Sequence, residues 1–243
     1  MKVVVIIPAA GLGTRMAPPS TGKKGPPSKQ FSELGGTPIL IRTLRKFAAC
    51  REVSEICVAL RADEIGNFRS RLEKDAPDIL QKKMQFVEGG EHRQHSVANA
   101  LAAVRAEADD IILVHDAVRP FVTDEIIQQV IHAAQKHSAA IAGIPAVDTV
   151  KQVDRTAEGA VITATLPRER VVLAQTPQGF RYSLLKKVFD EAAADGFMGT
   201  DEASLVERSG HPVVVVMGSP RNLKITTPGD LELAEFFLNS NKP

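Results

Sequence analysis

The chain has 243 residues, of which 30 are basic and 29 acidic, with a formal net charge of +1. This length allows one large domain, or one domain with an appendage, with a sizeable buried core. The balanced charge excludes the broad electrostatic field that proteins use to hold nucleic acid polymers or anionic membranes, so we expect a small ligand that is recognised locally.

The chain begins with a run of β-branched residues from Val3 to Ile7, which predicts a strand buried on both faces of a parallel sheet. The run is too short for the apolar region of a signal peptide, and no other run reaches the length of a membrane span. The two cysteines, Cys50 and Cys57, fit no metal or redox spacing, and Cys57 is expected in the core. We therefore expect a cytoplasmic protein.

Helices and strands are predicted to alternate over the first part of the chain. The helices are expected at 37–47, 63–74, 96–104 and 124–136, and the strands at 53–60, 84–87 and 111–115. The helix at 37–47 is expected to have Thr37 as its N-cap and Pro38 as its first residue. Alternation of this kind implies a parallel sheet with right-handed crossovers.

The pattern changes after residue 139. A strand at 141–145 is followed by two alternating segments, 148–153 and 160–165, which predict a β-hairpin. Because a hairpin buries little by itself, we expect it to pack on a second subunit. Further strands are predicted at 171–174 and 213–217, and further helices at 184–193, 202–208 and 228–238.

These elements predict an α/β fold. We expect a single Rossmann-like three-layer domain over residues 1–243, with a mainly parallel sheet and an inserted β-hairpin arm at 147–166.

The loop after the first strand is suited to binding phosphate. Gly11 and Gly13 let the backbone bend and present N–H groups to an anion, while Arg15 and Lys29 add positive charge. We interpret the loop as a cradle for a triphosphate.

Two alternatives to this cradle are a dinucleotide site and a simple turn. The dinucleotide fingerprint requires a third glycine where this chain has Met16, and a Walker loop is absent. A turn alone does not require Arg15 or the Ser28-Lys29-Gln30 string that follows.

Polar strings follow several predicted strands, where open parallel sheets bind ligands. Asp116 can hold Mg²⁺ next to phosphate oxygens and Arg119 can bind a phosphate, although the two could also form a surface pair at a turn. His115 is expected to be packed or hydrogen-bonded. The segment from Gly89 to Ser96 is suited to holding a base or ribose, or is only a turn and helix cap.

Three later strings, 175–178, 200–203 and 222–226, each read as a possible cap or turn. Lys224 is different, since it lies between two apolar residues in a strand-like run. A lysine directed into a site requires an anion.

Together these strings resemble the 2-C-methyl-D-erythritol 4-phosphate cytidylyltransferases of the non-mevalonate isoprenoid pathway, within the glycosyltransferase-A-like nucleotidyltransferases. The matching segments are 8–16, 28–30, 89–96, 114–120, 148–151, 176–178, 200–204 and 222–226. The resemblance covers nearly the whole chain, and eight motifs in order are far more specific than any one of them.

The resemblance implies condensation of CTP with methylerythritol phosphate, by in-line attack on the α-phosphorus, with Mg²⁺ as cofactor. Arg15 and Lys29 would be the catalytic cations that stabilise the developing charge. The expected nucleotide-binding residues are Ala9, Ala10, Gly11, Gly13, Gly90, Glu91 and Ser96. The expected substrate-binding residues are Asp116, Arg119, Thr149, Arg168, Thr176, Thr200 and Lys224, with Asp116 also at the metal.

The resemblance further implies a homodimer with interlocked hairpins, in which Thr149 and Arg168 reach the neighbouring subunit's site. The chain departs from the family in its long 17–28 segment, where Lys23 or Lys24 could replace Lys29, and in Glu91, where the family usually has Asp. A ribitol-5-phosphate cytidylyltransferase is the nearest rival, and a non-catalytic dinucleotide-binding module is a distant one.

Overall fold

The computed structural model describes residues 1–11, 28–157 and 159–240. Its strands are β1 Val3–Pro8, β2 Glu33–Leu34, β3 Thr37–Pro38, β4 Glu55–Leu60, β5 Lys83–Glu88, β6 Ile111–Val114, β7 Ala139–Pro145, β8 Val150–Thr156, β9 Gly159–Leu166, β10 Val172–Arg181 and β11 Val214–Met217. Its α-helices are α1 Ile39–Ala49, α2 Ala62–Asp75, α3 Arg93–Ala103, α4 Asp124–His137, α5 Tyr182–Ala194, α6 Glu202–Arg208 and α7 Pro228–Ser240.

A seven-stranded sheet forms the centre of the fold, in the order β11-β7-β10-β6-β1-β4-β5. All neighbouring strands are parallel except at β10, which runs antiparallel to both β6 and β7. The predicted α/β class with a mainly parallel sheet is therefore confirmed. The direction of β10 was not predicted.

Helices cover both faces of the sheet. Consecutive residues of a strand point to opposite sides, and in β1 both sets of side chains are apolar and must be buried. Val5 of β1 lies in a core with α1, α2 and α4, whereas Val4 lies in a core with α3, α5 and α6. Cys57, in the second of these cores, is fully buried, as expected. Since every residue from Val3 to Ile7 is buried, the apolar run is explained by a central strand with two covered faces.

The start of the first helix was predicted wrongly. Thr37 does not cap α1 but pairs with Leu34 in the short antiparallel β2–β3 ladder, and Pro38 occupies the N-cap position. Gly35 and Gly36 have φ values of +54° and +72°, a conformation that favours glycine, and their turn brings the chain back as a strand.

The predicted hairpin is confirmed as β8 and β9, paired from Val150 to Leu166. It forms a separate two-stranded sheet, and most of its residues are exposed, including Val161 and Ile162. We call residues 147–166 the arm. Within the described ranges, no helix has both the length and the apolar character needed to cross a membrane.

Candidate active site

The candidate site lies at the carboxyl edge of β6, β1, β4 and β5, which are adjacent and parallel. The loops that follow β1, β5 and β6 meet there, as the sequence predicted. They enclose a cleft of about 230 Å³, which we call the first cleft. Of the predicted site residues, those that line it are Ala9, Ala10, Gly11, Lys29, Gly90, Glu91, Ser96, Asp116 and Lys224.

One wall of the first cleft is formed by the loop between β5 and α3. The Ser96 hydroxyl is buried and accepts a hydrogen bond from the Gly90 backbone N–H at 3.1 Å. A Cβ on Gly89 would collide with the side chain of Ala10, so glycine allows this loop to approach the loop after β1. The helix α3 begins at Arg93, earlier than the predicted start near Ser96.

The opposite wall contains the segment that leads into α1. Gln30 is 2% exposed, and its Nε2 donates to the Ala9 carbonyl at 2.7 Å. The Ala9 N–H in turn donates to the Ala59 carbonyl at 2.7 Å. These bonds fix the backbone after β1 and place Lys29, the neighbour of Gln30, at the first cleft.

Asp116 is the centre of the charged part of the site. It is 6% exposed, and its carboxylate contacts Arg93 at 3.3 Å, Arg119 at 3.3 Å and Lys224 at 2.9 Å. Burial would raise the pKa of Asp116, but the charges of Arg93, Lys224 and Arg119 outweigh it and hold the pKa far below its usual range. Asp116 is therefore an ionised acceptor surrounded by cations.

Lys224 does not lie in the strand-like run that was predicted, but it does contact an anionic group. It lies in an irregular segment between β11 and α7, whereas a strand-like run was expected. The neighbouring Ile225 N–H donates to the Val118 carbonyl at 2.9 Å, which holds the segment against the loop after β6. Asp116 supplies the anion that a lysine in this position requires.

A buried network of hydrogen bonds through Thr176 and His115 holds the backbone of Asp116 in place. The Thr176 hydroxyl accepts a hydrogen bond from the Asp116 N–H at 3.0 Å and lies 3.1 Å from His115 Nδ1. Burial lowers the pKa of His115 to about 4, so the ring is neutral near pH 7. His115 is thus a packed, hydrogen-bonded residue, as the sequence predicted. Arg119 is 8% exposed and donates to the Asn222 carbonyl at 2.6 Å.

A second cleft of about 200 Å³ adjoins the first. Five of the predicted substrate-binding residues line it: Asp116, Arg119, Thr176, Thr200 and Lys224. Arg93, Asp116 and Lys224 line both clefts, and we call these three residues the ridge. The structure therefore places six of the predicted nucleotide-binding residues and five of the predicted substrate-binding residues at two adjacent clefts that share a charged boundary.

Two predicted residues, Thr149 and Arg168, are not brought together with the others, and two more lie outside the described residues. Thr149 and Arg168 are exposed at the base of the arm and line neither cleft, and Arg168 donates to the Val147 carbonyl at 2.8 Å. Gly13 and Arg15 lie outside the described residues, as do Lys23 and Lys24.

The sequence did not identify Arg93, Glu202 and Asn222 as part of the site. Arg93 bridges Asp116 and Glu202, and the Asn222 amide donates to the Thr176 carbonyl at 2.9 Å. The motifs that contain these residues were recognised. No local signal in them shows which polar side chain turns inward.

The carboxylates that line the first cleft are those of Glu91 and Asp116. In the parts of the chain that the structure describes, no group of three or more His, Cys, Asp or Glu side chains could hold a metal ion. Both oxygens of Asp116 already contact cations. A Mg²⁺ ion at Asp116 would have to take most of its ligands from phosphate and water, because the described residues provide no cage of protein ligands.

Comparisons with known proteins identify a family that the chain matches. Residues 3–240 match the family model for IspD, 2-C-methyl-D-erythritol 4-phosphate cytidylyltransferase. A relative of that name from Acidobacterium capsulatum is 58% identical over 238 residues, covering 98% of both chains.

Solved structures also match over almost the full chain. The 2-C-methyl-D-erythritol 4-phosphate cytidylyltransferase of Francisella tularensis is 35% identical with a TM-score of 0.79, covering 97% of this chain and 99% of that one. The 4-diphosphocytidyl-2C-methyl-D-erythritol synthase of Anaerococcus prevotii is 30% identical with a TM-score of 0.80, covering 98% of each chain. The chain therefore belongs to the 2-C-methyl-D-erythritol 4-phosphate cytidylyltransferase family.

Proposed function

We propose that this protein is a CTP-dependent nucleotidyltransferase that condenses CTP with 2-C-methyl-D-erythritol 4-phosphate. The products are 4-diphosphocytidyl-2-C-methyl-D-erythritol and pyrophosphate. The observation that carries this proposal is the pair of adjacent clefts joined by the cationic ridge, in a chain 58% identical to a relative with that activity in its name. Two phosphate-bearing substrates must meet in this reaction, and the ridge is a cationic boundary between two clefts.

The reaction is a direct phosphoryl displacement. An oxygen of the methylerythritol phosphate forms a bond to the α-phosphorus of CTP, while the bond from that phosphorus to the bridging oxygen of pyrophosphate breaks. Positioning and charge stabilisation account for most catalysis of this kind. We propose that Arg15 and Lys29 stabilise the charge on the α-phosphoryl oxygens and on the departing pyrophosphate. The position of Lys29 at the first cleft supports its part in this role.

We assign the nucleotide to the first cleft and the methylerythritol phosphate to the second. Backbone groups around Gly90, together with Ala9 and Ala10, would hold the cytidine, and the buried Ser96 keeps that loop in place. Arg119 would face the phosphate in the second cleft. Thr176 supports the ridge through its bond to the backbone of Asp116.

We propose Mg²⁺ as the divalent cofactor. Bound next to the triphosphate, it would neutralise charge on the phosphate oxygens. Asp116 would provide one protein oxygen for it, and the surrounding Arg93, Arg119 and Lys224 keep that carboxylate ionised.

We also infer a homodimer in which the arm packs on a second copy of the chain. The exposed apolar residues Val147, Val161 and Ile162 on the arm support this inference, since a two-stranded hairpin is not stable alone. Thr149 and Arg168 would then serve the neighbouring subunit's site. Within this proposal, residues 1–243 are one nucleotidyltransferase domain. A cytoplasmic location also remains a prediction.

The test is pyrophosphate release by the purified protein with CTP, Mg²⁺ and methylerythritol phosphate. We expect release only when all three are present, and loss of release when EDTA removes the metal. ATP, GTP and UTP in place of CTP measure nucleotide selectivity. No release with CTP and methylerythritol phosphate would contradict the proposal.

Ribitol 5-phosphate is the matched alternative substrate. Faster turnover with ribitol 5-phosphate than with methylerythritol phosphate would assign the protein to the rival activity. Calorimetry that detects NAD(P) binding but no CTP binding would favour a dinucleotide-binding module.

A further inference from the structure

Arg93 is a ridge residue to which the proposed reaction assigns no contact with a substrate. It is the first residue of α3 and lies between the two clefts. Its side chain is 30% exposed and lines both clefts. If the nucleotide occupies the first cleft and the second substrate the second, as proposed above, a cation at this boundary lies where their phosphates would meet.

Two carboxylates hold Arg93 in this position. Its Nε donates to Asp116 Oδ1 at 3.3 Å, and its Nη1 donates to Glu202 Oε1 at 2.7 Å. A guanidinium has five N–H donors, so these two bonds leave further donors for a phosphate. Because the two bonds come from different nitrogens, they restrict both the position and the rotation of the planar group.

Glu202 is an unusual partner for Arg93. It is 1% exposed, and among the described residues its Oε2 has no hydrogen-bond partner. Burial raises the pKa of its carboxyl, against the opposing charge of Arg93. A buried carboxylate with an unsatisfied oxygen is costly, and its shorter ion pair with Arg93 is the main compensation.

The backbone at Glu202 is also fixed. The preceding residue, Asp201, caps α6 by accepting from the Ser204 N–H at 3.0 Å. Asp201 also accepts from the Gln178 amide at 2.7 Å, which ties the start of the helix to β10. The carboxylate of Glu202 is therefore presented from a rigid helix start and not from a mobile loop.

We propose that Arg93 donates to the phosphate groups where CTP and the second substrate meet, and that Glu202 is its positioning residue. This inference rests on the proposed function. Asp116 attracts three cations, and without Glu202 the guanidinium of Arg93 would turn further onto Asp116. Glu202 balances that attraction and keeps Arg93 on the boundary.

The test compares Arg93→Lys, Glu202→Gln and the double variant in steady-state assays with CTP and methylerythritol phosphate. Arg93→Lys keeps the positive charge but loses the planar guanidinium with its several N–H donors. We expect kcat to fall about 10²-fold. Glu202→Gln should lower kcat about tenfold, the scale of losing a supporting carboxylate. The double variant should lie within about twofold of Arg93→Lys, because residues that act as a unit are not additive.

Two further measurements separate positioning from general stability. In Glu202→Gln, the Kd of CTP from calorimetry should change less than about threefold, while the KM for methylerythritol phosphate rises, because the effect is local to the boundary. Glu202→Asp keeps the charge on a shorter side chain and should retain an intermediate kcat. Glu207→Gln, an exposed position on the same helix, is the matched control and should match wild type.

Wild-type kinetics in Arg93→Lys would overturn the inference. So would a double variant whose loss equals the product of the two single losses, since Glu202 would then act independently of Arg93. Absence of turnover by the wild-type protein would instead overturn the proposed function, so the two failures are distinguishable.

Discussion

Replacing Asp116 by asparagine should destabilise the protein even without substrate. The change removes the charge that faces Arg93, Arg119 and Lys224 while keeping the shape of the side chain. Breaking a buried ion pair by removing one partner costs about 3–5 kcal/mol. Arg93 keeps its ion pair with Glu202, and Lys224 is 38% exposed and can turn towards water, so Arg119, at 10%, carries most of the cost.

We therefore expect the lower end of that range, about 3 kcal/mol of unfolding free energy. For a chain of this size, a loss of about 3 kcal/mol corresponds to a fall in Tm of about 6–12 °C. The measurement is thermal denaturation followed by calorimetry, in the absence of nucleotide and metal. Pyrophosphate should raise the Tm of Asp116→Asn more than that of wild type, since an added anion replaces the missing charge.

The matched control is Asp190→Asn, which removes an exposed carboxylate that pairs with Lys186 four residues earlier. Such surface pairs contribute about 0.3–0.5 kcal/mol, so its Tm should change by less than about 2 °C. If Asp116→Asn and Asp190→Asn gave the same Tm, the central position of Asp116 among the cations would be refuted.

Lys29→Ala and Arg15→Ala should each lower kcat by about 10²-fold or more in pyrophosphate-release assays, the scale of losing one preorganised donor. Full activity in both variants would contradict their assignment. Mixing Arg168→Ala subunits with Arg15→Ala subunits should restore activity if Arg168 acts in the neighbouring site, and inactive mixtures would exclude that role. Asp230→Ala should cost about 1–2 kcal/mol in urea unfolding at pH 7, because Asp230 accepts from Thr226 and from the N–H of Thr227, which immediately precedes α7. Burial opposes the shift, but the hydrogen bonds from Thr226 and Thr227 lower the pKa of Asp230 in the fold. The stability that these bonds add is therefore present above about pH 3.9 and is lost as the pH falls further. If Asp230→Ala lowered the free energy of unfolding equally at pH 7 and pH 2, this explanation would be contradicted.

Much of the site could be predicted because it depends on a general property of parallel sheets. Adjacent parallel strands end at the same edge, so segments far apart in sequence meet there. Lys29, Gly90 and Asp116 lie within one cleft for this reason. Apolar runs identified the strands, and the polar strings after them identified the loops.

The ion pairs within the site could not be predicted in the same way. Arg93 and Glu202 are 109 positions apart, and each also fits an ordinary helix terminus. Their pairing depends on the packing of α3 and α6 on the same face of the sheet. Periodicity shows that a helix has a buried face, but it does not show which two helices share a core.

The rule that ligands bind at the carboxyl ends of parallel strands does not describe β10, which is antiparallel to both of its neighbours. The string 175–178 was placed at the end of a short strand at 171–174, whereas these residues lie inside a strand that runs to Arg181. The pairing of β10 with β7 shifts register between Ala174 and Gln178, and this bulge breaks the alternation from which a strand is recognised.

Because β10 runs in the opposite direction, its first half lies at the carboxyl edge of β6. Gln178 pairs with Val114, the last residue of β6, so Thr176 lies beyond that edge and its hydroxyl reaches the Asp116 N–H. The string was thus predicted at the correct edge for the wrong reason. A fully parallel strand would have brought its last residues there, and the contact between Thr176 and Asp116 requires the reversed direction of β10.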